Sequence, residues 1–225
     1  YFMVKLIDLT HSIDPSHVQR KFSVETIGAE TVNHNVIRKD KQWYIMSNIA
    51  MVSHIGTHIE VPYHLFPNGY DLSNMPIDTY YGKGVLLNFS EIQQRTEISV
   101  EQVKIAADKA GGIRQGDIVL CNLGYANRYG QKSYSESPYF ATNAIKWLID
   151  SGMKMMGVDA GGIELPLSEE HVNHAALFAK NIPLIENVAN LNLLPPNGFH
   201  ISAFPYPIHG VEAFPVRVVA LLDTQ

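Results

Sequence analysis

The run Ser53-His54-Ile55-Gly56-Thr57-His58-Ile59-Glu60-Val61-Pro62-Tyr63-His64 sets three imidazoles and a carboxylate within eleven consecutive residues. Zinc and similar divalent ions favour imidazole nitrogen and carboxylate oxygen, and a catalytic site keeps one position open for water. From Thr57 to Val61, β-branched residues alternate with His58 and Glu60, the pattern of a strand with one face in a core. Side chains two apart on such a strand share a face, with roots about 6 to 7 Å apart, so His58 and Glu60 suit one ion. His54 would stand roughly 13 Å from His58 along an extended chain, too far to join them. The backbone must therefore fold back between the two histidines. Gly56 lies midway and is the residue best able to take the dihedrals of that turn. Pro62 has no N–H to donate and ends the strand pairing. His64, four residues past Glu60, is out of reach of the same ion along a strand and is assigned to acid/base work beside it. Any one of these histidines alone would read as an ordinary strand-face residue; four liganding groups at this spacing favour a metal site.

The chemistry such a site could perform is activation of water. A divalent ion on His54, His58 and Glu60 would lower the pKa of a bound water from about 15.7 towards about 7, which makes a hydroxide nucleophile at neutral pH. The same ion would polarise a substrate carbonyl. His64, of a side-chain type with an unperturbed pKa of about 6.5, is suited to take the water's proton and return it to the leaving group.

These groups need a frame, and the rest of the chain supplies its elements. Val4 to Thr10 reads as a strand that ends in a polar turn at Ser12, Asp14, Pro15 and Ser16. Lys21 to Ile27 is extended. Thr31–Ile37 and Trp43–Ser47, separated by Arg38-Lys39-Asp40-Lys41, have the pattern of a hairpin that leads into the metal stretch. Phe66 to Asp71 is rich in turn formers and reads as a loop that lines the site or packs near it. Lys83–Phe89, Asp117–Leu123 and Met155–Asp159 are buried strands, the second a nearly continuous apolar run. Ser99 opens a helix as a capping box with Gln102, and Gly111-Gly112 ends it. A further helix runs from Thr142 to Ser151. Strand and helix alternating at these lengths predict crossover units and a partly parallel sheet in an α/β fold. His171 to Leu177 reads as a short helix, Ile182–Ile185 as the strand after it, and Phe199–Pro207 and Pro215–Leu222 as closing strands. Spacing alone does not choose between His171 and His174, and does not link either to Glu186.

With the motif in place, the chain resembles the cyclase-like metal-dependent hydrolases, the family of bacterial kynurenine formamidase and isatin hydrolase. The resemblance rests on His-x-Gly-Thr-His-x-Glu-x-Pro-x-His. It extends from Leu6-Ile7-Asp8-Leu9-Thr10 through Gly116–Leu120, Gly157-Val158-Asp159 and Asn181–Asn187 to Val216–Ala220. It implies one domain over residues 1–225, a mixed sheet or barrel-like core flanked by helices of the swivelling β/β/α type. It implies zinc or manganese, one or two ions, and hydrolysis of a C–N bond in an amide, formamide or cyclic amide. It also selects His174 and Glu186, which it places beside the metal, either as ligands of a second ion or as groups that hold water and substrate. Glu186 could share proton transfer with His64. It further implies a homodimer or homotetramer in which N-terminal segments help wall the neighbour's pocket, and the aromatic segment Phe22–Tyr44 is compatible with that. Three positions depart from the family's usual pattern: Glu60 replaces Asp, Leu123-Gly124-Tyr125 replaces Thr-Gly-Trp, and Ala160-Gly161-Gly162 follows Asp159 where Thr or Ser is usual. Those last two stretches are expected to face the substrate.

Composition excludes several rivals. A chain of 225 residues with 46% hydrophobic content can bury one large core. Seventeen basic against twenty-two acidic residues leave a charge of −5 without basic clusters, so nucleic acid is not expected as a partner. No apolar run reaches the roughly 20 residues of a membrane helix, and the first residues lack a signal peptide's charged and apolar regions, which makes the cytoplasm the expectation. Tyr1-Phe2 are set aside as an expression remnant. Cys121, the one cysteine, reads as a buried strand position without catalytic use. No Gly-x-Ser-x-Gly elbow supports a serine hydrolase. The alternatives that keep the same residues are a lactone or ester hydrolase, a cyclase or lyase, and, in another class, a non-catalytic metal-stabilised binding protein.

Overall fold

The structure, a computed structural model, describes residues 4–14, 20–39 and 42–223. Its strands are β1 (Val4–Asp8), β2 (Phe22–Gly28), β3 (Ile45–Met51), β4 (His58–Glu60), β5 (Tyr81–Asn88), β6 (Glu97–Ile98), β7 (Ile118–Asn122), β8 (Tyr139–Phe140), β9 (Met155–Val158), β10 (Leu184–Glu186), β11 (Phe199–Ser202), β12 (Ala213–Pro215) and β13 (Val219–Asp223). The helices are α1 (Ala29–Val32), α2 (Val100–Lys109), α3 (Thr142–Asp150) and α4 (Val172–Phe178). Nine strands form one mixed sheet in the order β1-β13-β11-β5-β7-β9-β10-β4-β12. Within it β5, β7, β9 and β10 run parallel, joined by crossovers, and the flanking strands pair antiparallel. The α/β class and the mixed sheet agree with the sequence reading.

The sheet is covered on both faces, which explains its continuous apolar runs. In β7, Ile118, Val119, Leu120 and Cys121 are all fully buried. Val119 and Cys121 face the core formed with α2, α3 and α4, whereas Ile118 and Leu120 face a second core with Ile59, Ile185 and Ile201. Burial pushes the Cys121 thiol far up, with the Asp159 carboxylate adding to it, so the side chain acts as a small apolar group. The capping box forms as expected: the Ser99 hydroxyl accepts from the Gln102 N–H, and the Gln102 side chain accepts from the Ser99 N–H. Among the described residues no helix is long and apolar enough to cross a membrane.

The hairpin is displaced from its expected place. The pairing is β2 with β3, seven residues in register from Phe22↔Met51 to Gly28↔Ile45, and Thr31–Ile37 is not a strand. The β-branched pair Thr31-Val32 falls in or beside α1, and the Asn33 side chain accepts from the Asn35 N–H, a local turn that competes with pairing. An Arg38–Glu30 ion pair ties that connection together. Pro15, Ser16, Asp40, Lys41 and Tyr1-Phe2 lie outside the described residues.

Candidate metal centre

Gly56 sits at φ +64°, the left-handed conformation that the turn between His54 and His58 required. Beyond the turn, β4 is hydrogen-bonded on both sides, with Glu186 of β10 and Pro215 of β12 both opposite His58. Directly paired residues hold their side chains on one face, so register alone brings Glu186 to His58. α4 delivers His174 to the same place.

The side chains converge. Glu60 Oε1 lies 2.8 Å from His54 Nδ1 and 3.1 Å from His58 Nε2, while His174 Nε2 lies 3.4 Å from both Glu60 Oε2 and Glu186 Oε1. Glu186 Oε2 is 3.6 Å from His58 Nε2. Two donor sets result, His54/His58/Glu60 and Glu60/His174/Glu186, with the atoms of each within 4.8 Å of one another and Glu60 common to both. All five side chains predicted to surround the metal are therefore brought together. His58, Glu60, His174 and Glu186 are buried. Glu60 Oε2 is buried and accepts no hydrogen bond, with His174 Nε2 3.4 Å away. A buried carboxylate oxygen left in this state, ringed by imidazoles, is what a cation would complete.

His64 is not carried away along the strand. A turn of 3₁₀-helix over Pro62–His64 curls it back until its ring centroid is 4.5 Å from that of His54. Burial lowers its pKa, and the nearby His54 and His174 add to this against the pull of Glu60. A neutral imidazole at neutral pH can accept a proton.

Burial would raise Glu60, but the imidazoles of His174, His54 and His58 around it hold it well below the usual carboxylate range. Burial would lower His174, yet Glu164, Glu186 and Glu60 outweigh it and push the imidazole up to about 12. His58 is raised by Glu60 and Glu186 against the same penalty. A metal ion must therefore displace protons that these carboxylates hold on the histidines, so affinity should rise with pH through neutrality and on towards the raised pKa of His174. Calorimetry in two buffers of different ionisation enthalpy should show at least one proton released per ion; zero release would contradict this arrangement.

An outer layer fixes these side chains, and sequence reasoning missed it. His58 Nδ1 donates to Gly56 O at 3.0 Å, which turns Nε2 inward. Asn187 donates to the same carbonyl at 2.7 Å and accepts from the Tyr134 hydroxyl at 2.7 Å. Glu164 Oε2 faces His174 Nδ1 at 2.5 Å, and its other oxygen accepts the N–H groups of Asn173 and His174 at the start of α4. Glu164 stands ten residues from His174 in a loop, with no local pattern to mark it. Exposed His171 contributes no donor atom to the two sets that share Glu60.

A cavity of about 590 Å³ opens onto the cluster, bordered by His54, His58, Glu186, Tyr129, Tyr134 and Leu167. Gly161 and Gly162 line it, as expected of the segment after Asp159. The other expectations for its wall are corrected. Leu123 and Tyr125 are buried, their N–H groups donate to Asp159, and the Tyr125 hydroxyl donates to Glu136 O, so this segment packs away from the cavity. The Phe66–Asp71 loop does not line the cavity either. The Asp71 carboxylate caps Ser73, Asn74 and Gly210, and Phe66 packs on the core.

Residues 7–165 match the model of the family described as "Putative cyclase". The chain belongs to the cyclase family. The kynurenine formamidase of Bacillus thuringiensis subsp. konkukian is 23% identical over 174 residues, 77% of this chain and 78% of that protein. Isatin hydrolase A from Ralstonia solanacearum superposes with a TM-score of 0.85 at 21% identity, covering 98% of this chain and 92% of that one. A protein described as a potential metal-dependent hydrolase with cyclase activity follows at 0.74 and 23%, covering 99% and 100%. At these identities the solved structures share the fold with this cyclase-family chain. His174 and Glu186 lie beyond the span matched by the family model.

Proposed function

We propose that the protein is a metal-dependent hydrolase that cleaves the C–N bond of an amide, formamide or cyclic amide. The observation that carries this reading is the buried Glu60 carboxylate, one oxygen shared by His54 and His58 and the other left without a hydrogen bond beside His174. A divalent cation such as zinc or manganese, held by His54, His58 and Glu60 and, as a second ion, by Glu60, His174 and Glu186, would supply an acidified water and a polarised carbonyl. The names of the formamidase and isatin hydrolase relatives support amide chemistry. His64 would take the proton of the attacking water and return it to the leaving nitrogen, while Glu186, which borders the cavity with its oxygens 3.4 Å from His174 and 3.6 Å from His58, could share that transfer. Tyr129 and Tyr134, packed edge to face with centroids 5.5 Å apart, give the cavity an aromatic border against which an acyl group could lie.

Chelation tests the reading. Stripping the metal should remove hydrolysis of a panel of formamides, cyclic imides and anilides, and zinc or manganese should restore it. Circular dichroism should show the fold retained throughout. A protein that binds no divalent ion, or that unfolds in step with chelation and hydrolyses nothing, would refute it.

The chain is also proposed to act as a homo-oligomer in the cytoplasm. The β2–β3 hairpin is a two-stranded sheet separate from the main one, and both of its faces are largely exposed, with Val24, Met46 and Ile49 open to solvent. A two-stranded ribbon in water is marginal by itself, which favours a second copy as its cover. Light scattering should give a multiple of 25.1 kDa, and Ile49→Asp should lower it. A wild-type monomer under active conditions would sink the proposal.

A further inference from the structure

Glu212 is a carboxylate at the centre for which neither the motif nor the two shared donor sets has a use. It immediately precedes β12, and its carbonyl accepts the Val61 N–H at 2.9 Å, which anchors it at the end of β4. Its Oε1 accepts from the Ser53 hydroxyl at 2.5 Å and lies 3.2 Å from His54 Nε2. On the other side of the same ring, His54 Nδ1 faces Glu60 Oε1 at 2.8 Å. The imidazole is thus held between two carboxylates, one through each nitrogen. An imidazole that offers one nitrogen's lone pair to a cation carries its hydrogen on the other nitrogen, and that hydrogen needs an acceptor.

We propose that Glu212 is a positioning residue, which accepts the Nε2 hydrogen of His54 so that Nδ1 is the atom presented to the cation beside Glu60. The inference rests on the metal reading above. A carboxylate behind a metal-bound imidazole fixes its tautomer and ring orientation and makes the ligand more basic. Ser53, one residue before His54, donates to the same oxygen and so holds the carboxylate in place. The arrangement comes from two segments far apart in sequence: Ser53 and His54 before the glycine turn, Glu212 before β12. Glu212 is part-exposed, at 29% of its side chain, so the pair adds little to the stability of the metal-free fold. A positioning role and a structural role therefore predict different readouts.

The experiment is metal binding by the whole chain, followed by competition with a chromophoric chelator for zinc, alongside a thermal melt of the metal-free protein. Glu212→Ala should bind zinc about 10- to 100-fold more weakly than wild type with the same number of ions per chain, while the metal-free melt stays within a few degrees. Glu212→Gln, which retains an acceptor but not the charge, should fall between the two, and it carries the test if the alanine variant does not fold. Ser53→Ala should weaken binding in the same direction by a smaller factor. Wild-type affinity in the Glu212 variants would overturn the inference. So would loss of one whole ion per chain with the rest bound normally, because Glu212 would then be a ligand together with His54 and His64, whose donor atoms lie within 4.8 Å of its own. Failure of the wild-type protein to bind zinc would instead sink the metal reading, so the two failures are distinguishable.

Discussion

Replacing His64 by alanine should reduce turnover by about 10²- to 10⁴-fold, the usual contribution of a placed general acid/base, while the metal content stays close to that of the wild type. The geometry separates the two effects. His64 stands ring to ring with His54, not in either donor set that shares Glu60, and the 3₁₀ turn that places it begins at Pro62, after β4 has ended. Removing its ring leaves the hydrogen bonds of His54, His58 and His174 untouched. The activity of the wild type should fall as pH drops through the pKa of His64, which burial has moved below its ordinary value, because only the neutral ring can accept the proton. The measurement is a pH–rate profile together with metal analysis of the purified variant. Loss of metal from His64→Ala would contradict the acid/base role and make the residue a ligand.

Glu60→Gln should have the larger effect on binding, with metal affinity down by more than about 10²-fold and activity lost with it. Glu60 alone belongs to both donor sets that would hold catalytic ions, and an amide presents one neutral oxygen where the carboxylate presents two charged ones. The change also removes the counter-charge that three histidines share, so their protons leave more readily and the metal-free cluster loses ion pairing. Breaking a buried pair from one side costs about 3 to 5 kcal/mol. The metal-free variant should therefore melt earlier at neutral pH. Glu60→Asp separates charge from reach: it keeps the charge and withdraws the oxygens from His54 or His174, so it should bind metal better than Glu60→Gln. Inductively coupled plasma analysis and calorimetric titration of the two variants give the comparison. Equal, wild-type zinc binding by both would show that the carboxylate does not hold the ion.

Some of this architecture was readable along the chain because the physics that sets it acts over a few residues. Gly56 had to break the extended run if His54 was to meet His58, and its positive φ is that break. The Ser99–Gln102 capping box spans three positions and closes within one turn of helix. The apolar run of β7 reports burial on both faces wherever the strand lies in the sheet. By contrast, Thr31–Ile37 carried strand-forming residues, yet β3 chose Phe22–Gly28, because a strand's partner depends on which edge is presented and not on its own composition.

The centre divides in the same way. His54, His58, Glu60 and His64 declare themselves within one segment, since their spacing and a single turn already constrain which of them can meet. His174 could be preferred to His171 only through family resemblance, and Glu164 and Glu212 carried no mark at all. Each of these reaches the site through sheet register or helix docking, as Glu186 does by pairing with His58, and Glu212 by lying next to β4 across about 150 residues of chain. Contacts of that kind arise only when β10 and β12 close on either side of β4, and it is this closure that gathers spaced imidazoles and carboxylates into one cluster of fixed geometry.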